Sequence, residues 1–160
     1  MESEILRILE GDARATAAEV AAGIGVGVDV VAEAIARLEA SGAIRSYRTV
    51  VDWERAGVRR VEAFVDVTAR PERGEGYDRI AERIYRHPEV TGVHLVSGTQ
   101  DLRVAVTCAS IEAVAAFVAE RVATIDGVVA TSTHFVLRRY KEDGVVFAQE
   151  PVAERVAVMP

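Results

Sequence analysis

The sequence predicts an α+β chain: an N-terminal winged helix-turn-helix followed by a βαββαβ ferredoxin-like αβ-sandwich. Three observations predict it. Thr16 to Ile44 reads as a short helix, a glycine-rich turn and a longer helix stopped by Gly42. Residues 58–140 then alternate strand, helix, strand, strand, helix, strand, each strand with one apolar face. Between them, around Asp52–Gly57, the composition shifts, which divides the chain into residues 1–51, 58–140 and a C-terminal arm, 141–160.

The elements follow in order. Ser3 to Leu9 places Ile5, Leu6 and Leu9 on one helical face, with Gly11 as its stop. Thr16 and Glu19 form a T-x-x-E capping box for the second helix. Gly23, Gly25 and Gly27 open the turn. In the third helix Val31, Ala34, Ile35 and Leu38 make the core face, so Asp29, Ala32, Glu33, Ala36 and Arg37 face outward. Ala43 to Val51 has strand character and is expected to serve as wing and connector.

In the second region Val61–Thr68 is a strand with Ala63, Val65 and Val67 inward and Glu62 and Asp66 outward. Tyr77–Tyr85 is a helix closed by His87-Pro88. Val90–Ser97 and Leu102–Cys108 form a hairpin across Gly98–Asp101. Ser110 caps a helix that runs to about Ile125, and Val128–Arg138 is the last strand. A sheet covered by helices on one side leaves its other face open, and an isologous dimer that stacks two sheets closes it at least cost.

Charge bounds the function. Of the net −6, nearly all lies in residues 1–54, where ten acidic residues face five arginines. Because Lys and Arg supply most non-specific DNA affinity, this head is not a strong general DNA binder. The candidate DNA contacts are Gly27, Asp29, Glu33 and Arg37 on the third helix and Arg45 and Arg48 on the connector. In the second region, Ser97, Gly98, Thr99, Gln100 and Asp101, with Thr131 and Thr133, are the candidate ligand contacts. Backbone N–H groups near Gly98 suit a carboxylate, Asp101 an ammonium, and the threonines add hydroxyls. The alternative is a hairpin turn in which Asp101 caps its own loop. The single Cys108 excludes an internal disulfide and reads as a small buried hydrophobe. No apolar run reaches the length of a membrane span, and the acidic first residues are unlike a signal peptide, so the expected location is cytoplasmic, with no membrane partner.

A three-helix head, a strand connector and a six-element domain carrying SGTQDL and TSTHFVL resemble the Lrp/AsnC (feast/famine) transcriptional regulators, over roughly Ile5 to Asp143. Ile44 to Tyr47 is similar to the family's I-x-x-Y segment, and His87-Pro88-Glu89-Val90 to its approach to the second strand. Gly98 and Asp101 fit its G-x-Y-D loop, with Gln100 where an aromatic is usual; Thr131, Thr133 and Leu137 fit T-x-T-x-x-x-L. Gly27, Glu33 and Ala36 stand where members often carry Ser or Thr and then Arg or Lys. The resemblance implies a RAM-type second domain, a homodimer that assembles into tetramers or octamers, binding to double-stranded DNA, and a small effector such as an amino acid. It implies no cofactor, no metal and no catalytic residue.

Two other readings fit the same residues. One is a ligand-sensing oligomer with weak or no DNA binding that acts through a partner regulator. The other is an enzyme, since some haem-biosynthetic decarboxylases look like Lrp/AsnC regulators in fold. For the latter, His94 and His134 are on different expected strands and would have to converge; His87 is the third histidine.

Overall fold

The computed structural model describes residues 1–70 and 76–147 and divides into two compact units, Met1–Val51 and Asp52–Pro160. In the first, α1 (Glu2–Gly11) continues through Gly11 and ends at Asp12. Thr16 opens α2 (Ala17–Ile24) with the expected reciprocal capping: its Oγ1 accepts from the Glu19 amide at 3.3 Å, and its own amide donates to Glu19 Oε2 at 2.8 Å. Gly25, at φ 73°, takes the left-handed conformation that ends α2, a conformation that costs glycine little. Then α3 (Val28–Ala40) lays Val31, Ala34 and Leu38 against Ile5, Leu9, Val20 and Ala21. Ile35, expected inward, is only half-buried at the rim of this cluster.

The expected wing and connector strand is not formed: no described residue between Ala40 and Val61 is in a strand. Strand propensity describes a residue that fits a pleated, half-buried surface. Residues 45–50 are exposed and pair with no strand among the described residues.

The second unit is a four-stranded antiparallel sheet in the order β2-β3-β1-β4, built from β1 (Val61–Ala69), β2 (Val90–Leu95), β3 (Leu102–Cys108) and β4 (Val128–Phe135). With α4 (Asp78–Tyr85) and α5 (Ile111–Phe117) it makes the expected ferredoxin-like arrangement. Ala63, Val65, Val67, Val104 and Val106 point to one face and pack under Ile80, Ile84, Val114 and Phe117. Cys108 borders this core, half-buried.

Three element ends differ from expectation: those of α5, of the last strand, and of β2, which stops at Leu95 rather than Ser97. After the Ser110 cap, where Oγ accepts from the Ala113 amide at 3.1 Å, α5 stops at Phe117 and a π-helical stretch continues to Val122. There the Ala123 amide donates to the Val118 carbonyl at 2.8 Å, and Val118 and Val122 both lie in the core. The last strand ends at Phe135, and beyond it β5 (Lys141–Glu142) and β6 (Val145–Val146) form a small hairpin. Its turn is Asp143-Gly144, both at positive φ. The rest of the expected arm, 148–160, lies outside the described residues. No described helix is long and apolar enough to cross a membrane.

Candidate functional site

Both candidate sites are set by how the elements end. Gly27 is the N-cap of α3 and brings no side chain to it. Asp29 fills that space: a Cβ at position 27 would sit 2.5 Å from Asp29 Oδ1. The carboxylate is thus folded back near the helix N-terminus, where the exposed N–H groups and the helix dipole favour negative charge. That end of the helix is therefore less free to receive a phosphate than its backbone alone suggests. Glu33 is exposed on the outward face. Arg37, the one basic residue of α3, donates to Glu2 Oε1 at 3.2 Å. Both partners are about half exposed, so the pair is weak and phosphate can replace it. Arg45 and Arg48 are exposed beyond the helix, Arg45 lying over Gly42.

The loop after β2 is anchored at Asp101. Its Oδ2 accepts from the Ala69 amide at 2.8 Å and its Oδ1 from the Tyr77 hydroxyl at 2.9 Å. Its own amide donates to the Val67 carbonyl at 3.0 Å, and its carbonyl accepts from the Val96 amide at 2.9 Å. The Ala69 amide, then the Tyr77 hydroxyl, hold the Asp101 carboxyl below the usual carboxylate range. Asp101 thus clasps its own hairpin. Among the described residues, each carboxylate oxygen accepts one of these bonds.

Ser97, Gly98 and Thr99 are exposed, Gly98 at φ 147°; the Thr99 hydroxyl donates to Gln100 Oε1 at 2.8 Å. Thr131 and Thr133 stand opposite Val67 and Val65 in the ladder and so share the helix-covered side of the sheet, half-buried on edge strand β4. Asp101 and Thr131 both engage the C-terminal end of β1, one through hydrogen bonds to Val67 and Ala69, the other through strand register.

The other face of the sheet carries a cluster that sequence reading missed. Asp66 is buried there, and Arg103 clamps it with two bonds, Nε to Oδ1 at 2.8 Å and Nη2 to Oδ2 at 3.0 Å. His134 Nε2 lies 3.4 Å from Asp66 Oδ2 and 3.3 Å from Ser132 Oγ. The Arg103 clamp holds the Asp66 carboxyl below its ordinary range against the opposing effect of burial, with a smaller pull from His134. Beside them on β1, Phe64 is 43% exposed. The available signal was an acid inside VEAFVDVTA and an arginine inside LRVAVTC, but only the register pairs them.

His94 and His134 do not converge. They lie on β2 and β4, the two edges of the sheet, with β3 and β1 between them. Three inter-strand spacings put their strands about 14 Å apart. His87 instead packs edge-on against Phe117, centroids 5.4 Å apart. A separate groove of about 980 Å³ in the second unit is lined by Trp53, Arg59, Arg60, Ser110, Arg138 and Phe147 among others, and includes none of the expected contacts. Arg60 stacks 3.5 Å over the Trp53 ring there.

Known proteins resemble both parts of the chain. Residues 2–45 match a winged helix-turn-helix DNA-binding model, and residues 62–146 match the Lrp/AsnC ligand binding domain. The chain is 42% identical over 160 residues to YugG, an HTH-type transcriptional regulator of Bacillus subtilis, covering 99% of this chain and 96% of that protein. It is 32% identical over 151 residues to the HTH-type transcriptional regulator PH1692 of Pyrococcus horikoshii, covering 94% of this chain and 97% of that one. Among solved structures, the leucine response regulatory protein LrpA of Mycobacterium tuberculosis superposes with a TM-score of 0.74 at 27% identity, covering 89% of this chain and 94% of that one. AsnC of E. coli does so with 0.69 at 25%, covering 88% and 93%.

Proposed function

Because the chain belongs to the Lrp/AsnC family of transcriptional regulators, we propose that this DNA-binding protein works only as an oligomer and answers to an amino acid. The observation that carries the first part is the state of α3: Asp29 and Glu33 exposed, and its single arginine already paired with Glu2. One such head makes few phosphate contacts and binds weakly. Joined heads gain about 10²–10⁴ in affinity through effective concentration when the geometry allows. The uncovered sheet face, with half-exposed Phe64 around a closed Asp66–Arg103 pair, is the surface we assign to a second copy, as a homodimer that can build to a tetramer or octamer.

The test is a titration of a duplex from the gene's own upstream region at two salt concentrations, alongside sedimentation. The native protein is expected to bind it over random DNA, and Phe64→Glu to sediment as a monomer and bind at least tenfold more weakly. Equal affinity of monomer and assembly would sink the idea.

The effector part is supported by the carboxylate of Asp101, the exposed backbone at Ser97, Gly98 and Thr99 beside Gln100, and the hydroxyls of Thr131 and Thr133. An amino acid needs both charges met in a partly dry site. A panel of the twenty amino acids read by thermal shift tests it. At a hundred times its Kd, the right one stabilises by about 2.7 kcal/mol. Thr131→Val is expected to shrink that shift without lowering the unliganded Tm, whereas no shift from any of the twenty overturns the effector assignment.

The acidic α3 face also favours a second reading, a sensor that acts through a partner regulator. Folded, oligomeric protein with no preference for the upstream duplex at either salt concentration would select it. A regulator that reaches DNA works in the cytoplasm, where we place this one.

A further inference from the structure

We infer that the head selects its DNA site by apolar contact with thymine C5-methyl groups in the major groove, made by Val28 and Val30 with Val26 beside them. The inference rests on the DNA-binding reading and names what that surface recognises. Three valines stand at the turn and first turn of α3, and they are 37% (Val26), 50% (Val28) and 40% (Val30) exposed. The fold does not ask for them there. The core of this unit takes Val31, Ala34 and Leu38 from the same helix, and β-branched residues are poorer helix formers than alanine at exposed sites.

Their place does matter for recognition, because a helix-turn-helix presents the N-terminal residues of its second helix to base edges. In the major groove the one group on a base edge that an apolar side chain recognises is the thymine methyl. No cation competes for the reading at this end of the helix. Arg37, the one basic residue of α3, is nine residues on from Val28, about 13 Å along the axis. Asp29 is turned back toward Gly27. A valine side chain has one strongly preferred rotamer in a helix, so the side chains of Val28 and Val30 are set before binding.

Duplexes enriched from a random pool by the full-length protein supply the probe, and each is then resynthesised with deoxyuridine in place of single thymines. Removing a contacted methyl is expected to weaken binding about fourfold, the factor that follows from about 0.8 kcal/mol per buried carbon group. V28A or V30A is expected to lose the same factor on the thymine duplex and to become indifferent to deoxyuridine at its position. Both are exposed changes to the best helix former, so folding does not confound them. Deoxyuridine duplexes bound as tightly as the originals overturn the inference while leaving DNA binding intact. Discrimination that survives in both valine variants overturns the assignment to these residues. Failure to enrich any duplex, by protein shown to be folded, overturns the DNA-binding reading and this inference with it.

Discussion

Asp66 occupies a strand position that simple alternation gives to solvent, yet its side chain is 5% exposed while Arg103 above it remains 51% exposed. The arginine is what makes the burial tolerable, since a lone carboxylate there would be costly to desolvate. Arg103→Met keeps the apolar stem and strands the acid. It is expected to lower the Tm of the second unit by about 5 °C or more, whereas adding Asp66→Leu to it should recover most of the loss. The sign of the pH dependence follows from the same contact. A carboxyl held below its unfolded value of about 3.9 contributes stability that is complete above that pH and disappears as the pH falls through the lower folded value. Calorimetry between pH 7 and pH 3 should therefore show a flatter acid limb in the double variant than in the native protein, with a remainder from Asp101, whose carboxyl is lowered in the same direction.

At the level of elements, the termini that carry a side-chain signal were legible and the others were not. Thr16 with Glu19 and Ser110 with Ala113 both act as the caps the sequence announces. Thr16→Ala should cost about 1 kcal/mol, read as a lower urea midpoint of the helical signal from the first unit. The inward residues Ala63, Val65 and Val67 of β1 followed from alternation alone, and Leu102–Cys108 ends where expected. The π-helical stretch at Val118–Val122 was not legible, because its valines are spaced for an ordinary α-helix. The missing strand at Ala43–Val51 failed for a different reason: propensity names a residue's fitness for a sheet and says nothing about whether a partner strand is present. In the loop after β2, Asp101 was singled out by its place in the G-x-Y-D segment, but its contacts with Ala69 and Tyr77 are non-local and invisible without the fold.

At the scale of the whole molecule, the described residues form two hydrophobic clusters that share no residue, Ile5 to Leu38 in one and Ala63 to Val122 in the other. Each unit therefore has its own cooperative core, and the same calorimetry should resolve two transitions. Thr16→Ala is expected to move only one of them and Arg103→Met only the other; a single shift shared by both variants would mean that the cores unfold as one. The uneven charge also acts at this scale. With ten acidic residues against five arginines in residues 1–54, DNA affinity should fall only gently with added salt, because few phosphates are neutralised.

The clasp at Asp101 bears on any ligand that reaches the hairpin. Four hydrogen bonds meet at that one residue, joining the loop to the end of β1 and the start of α4. The loop is held in shape before anything arrives, so a small molecule settling on it forfeits little chain freedom. Its affinity is then governed by how well it complements a rigid rim, and discrimination between ligands that differ by one methyl group becomes a matter of fit rather than of folding.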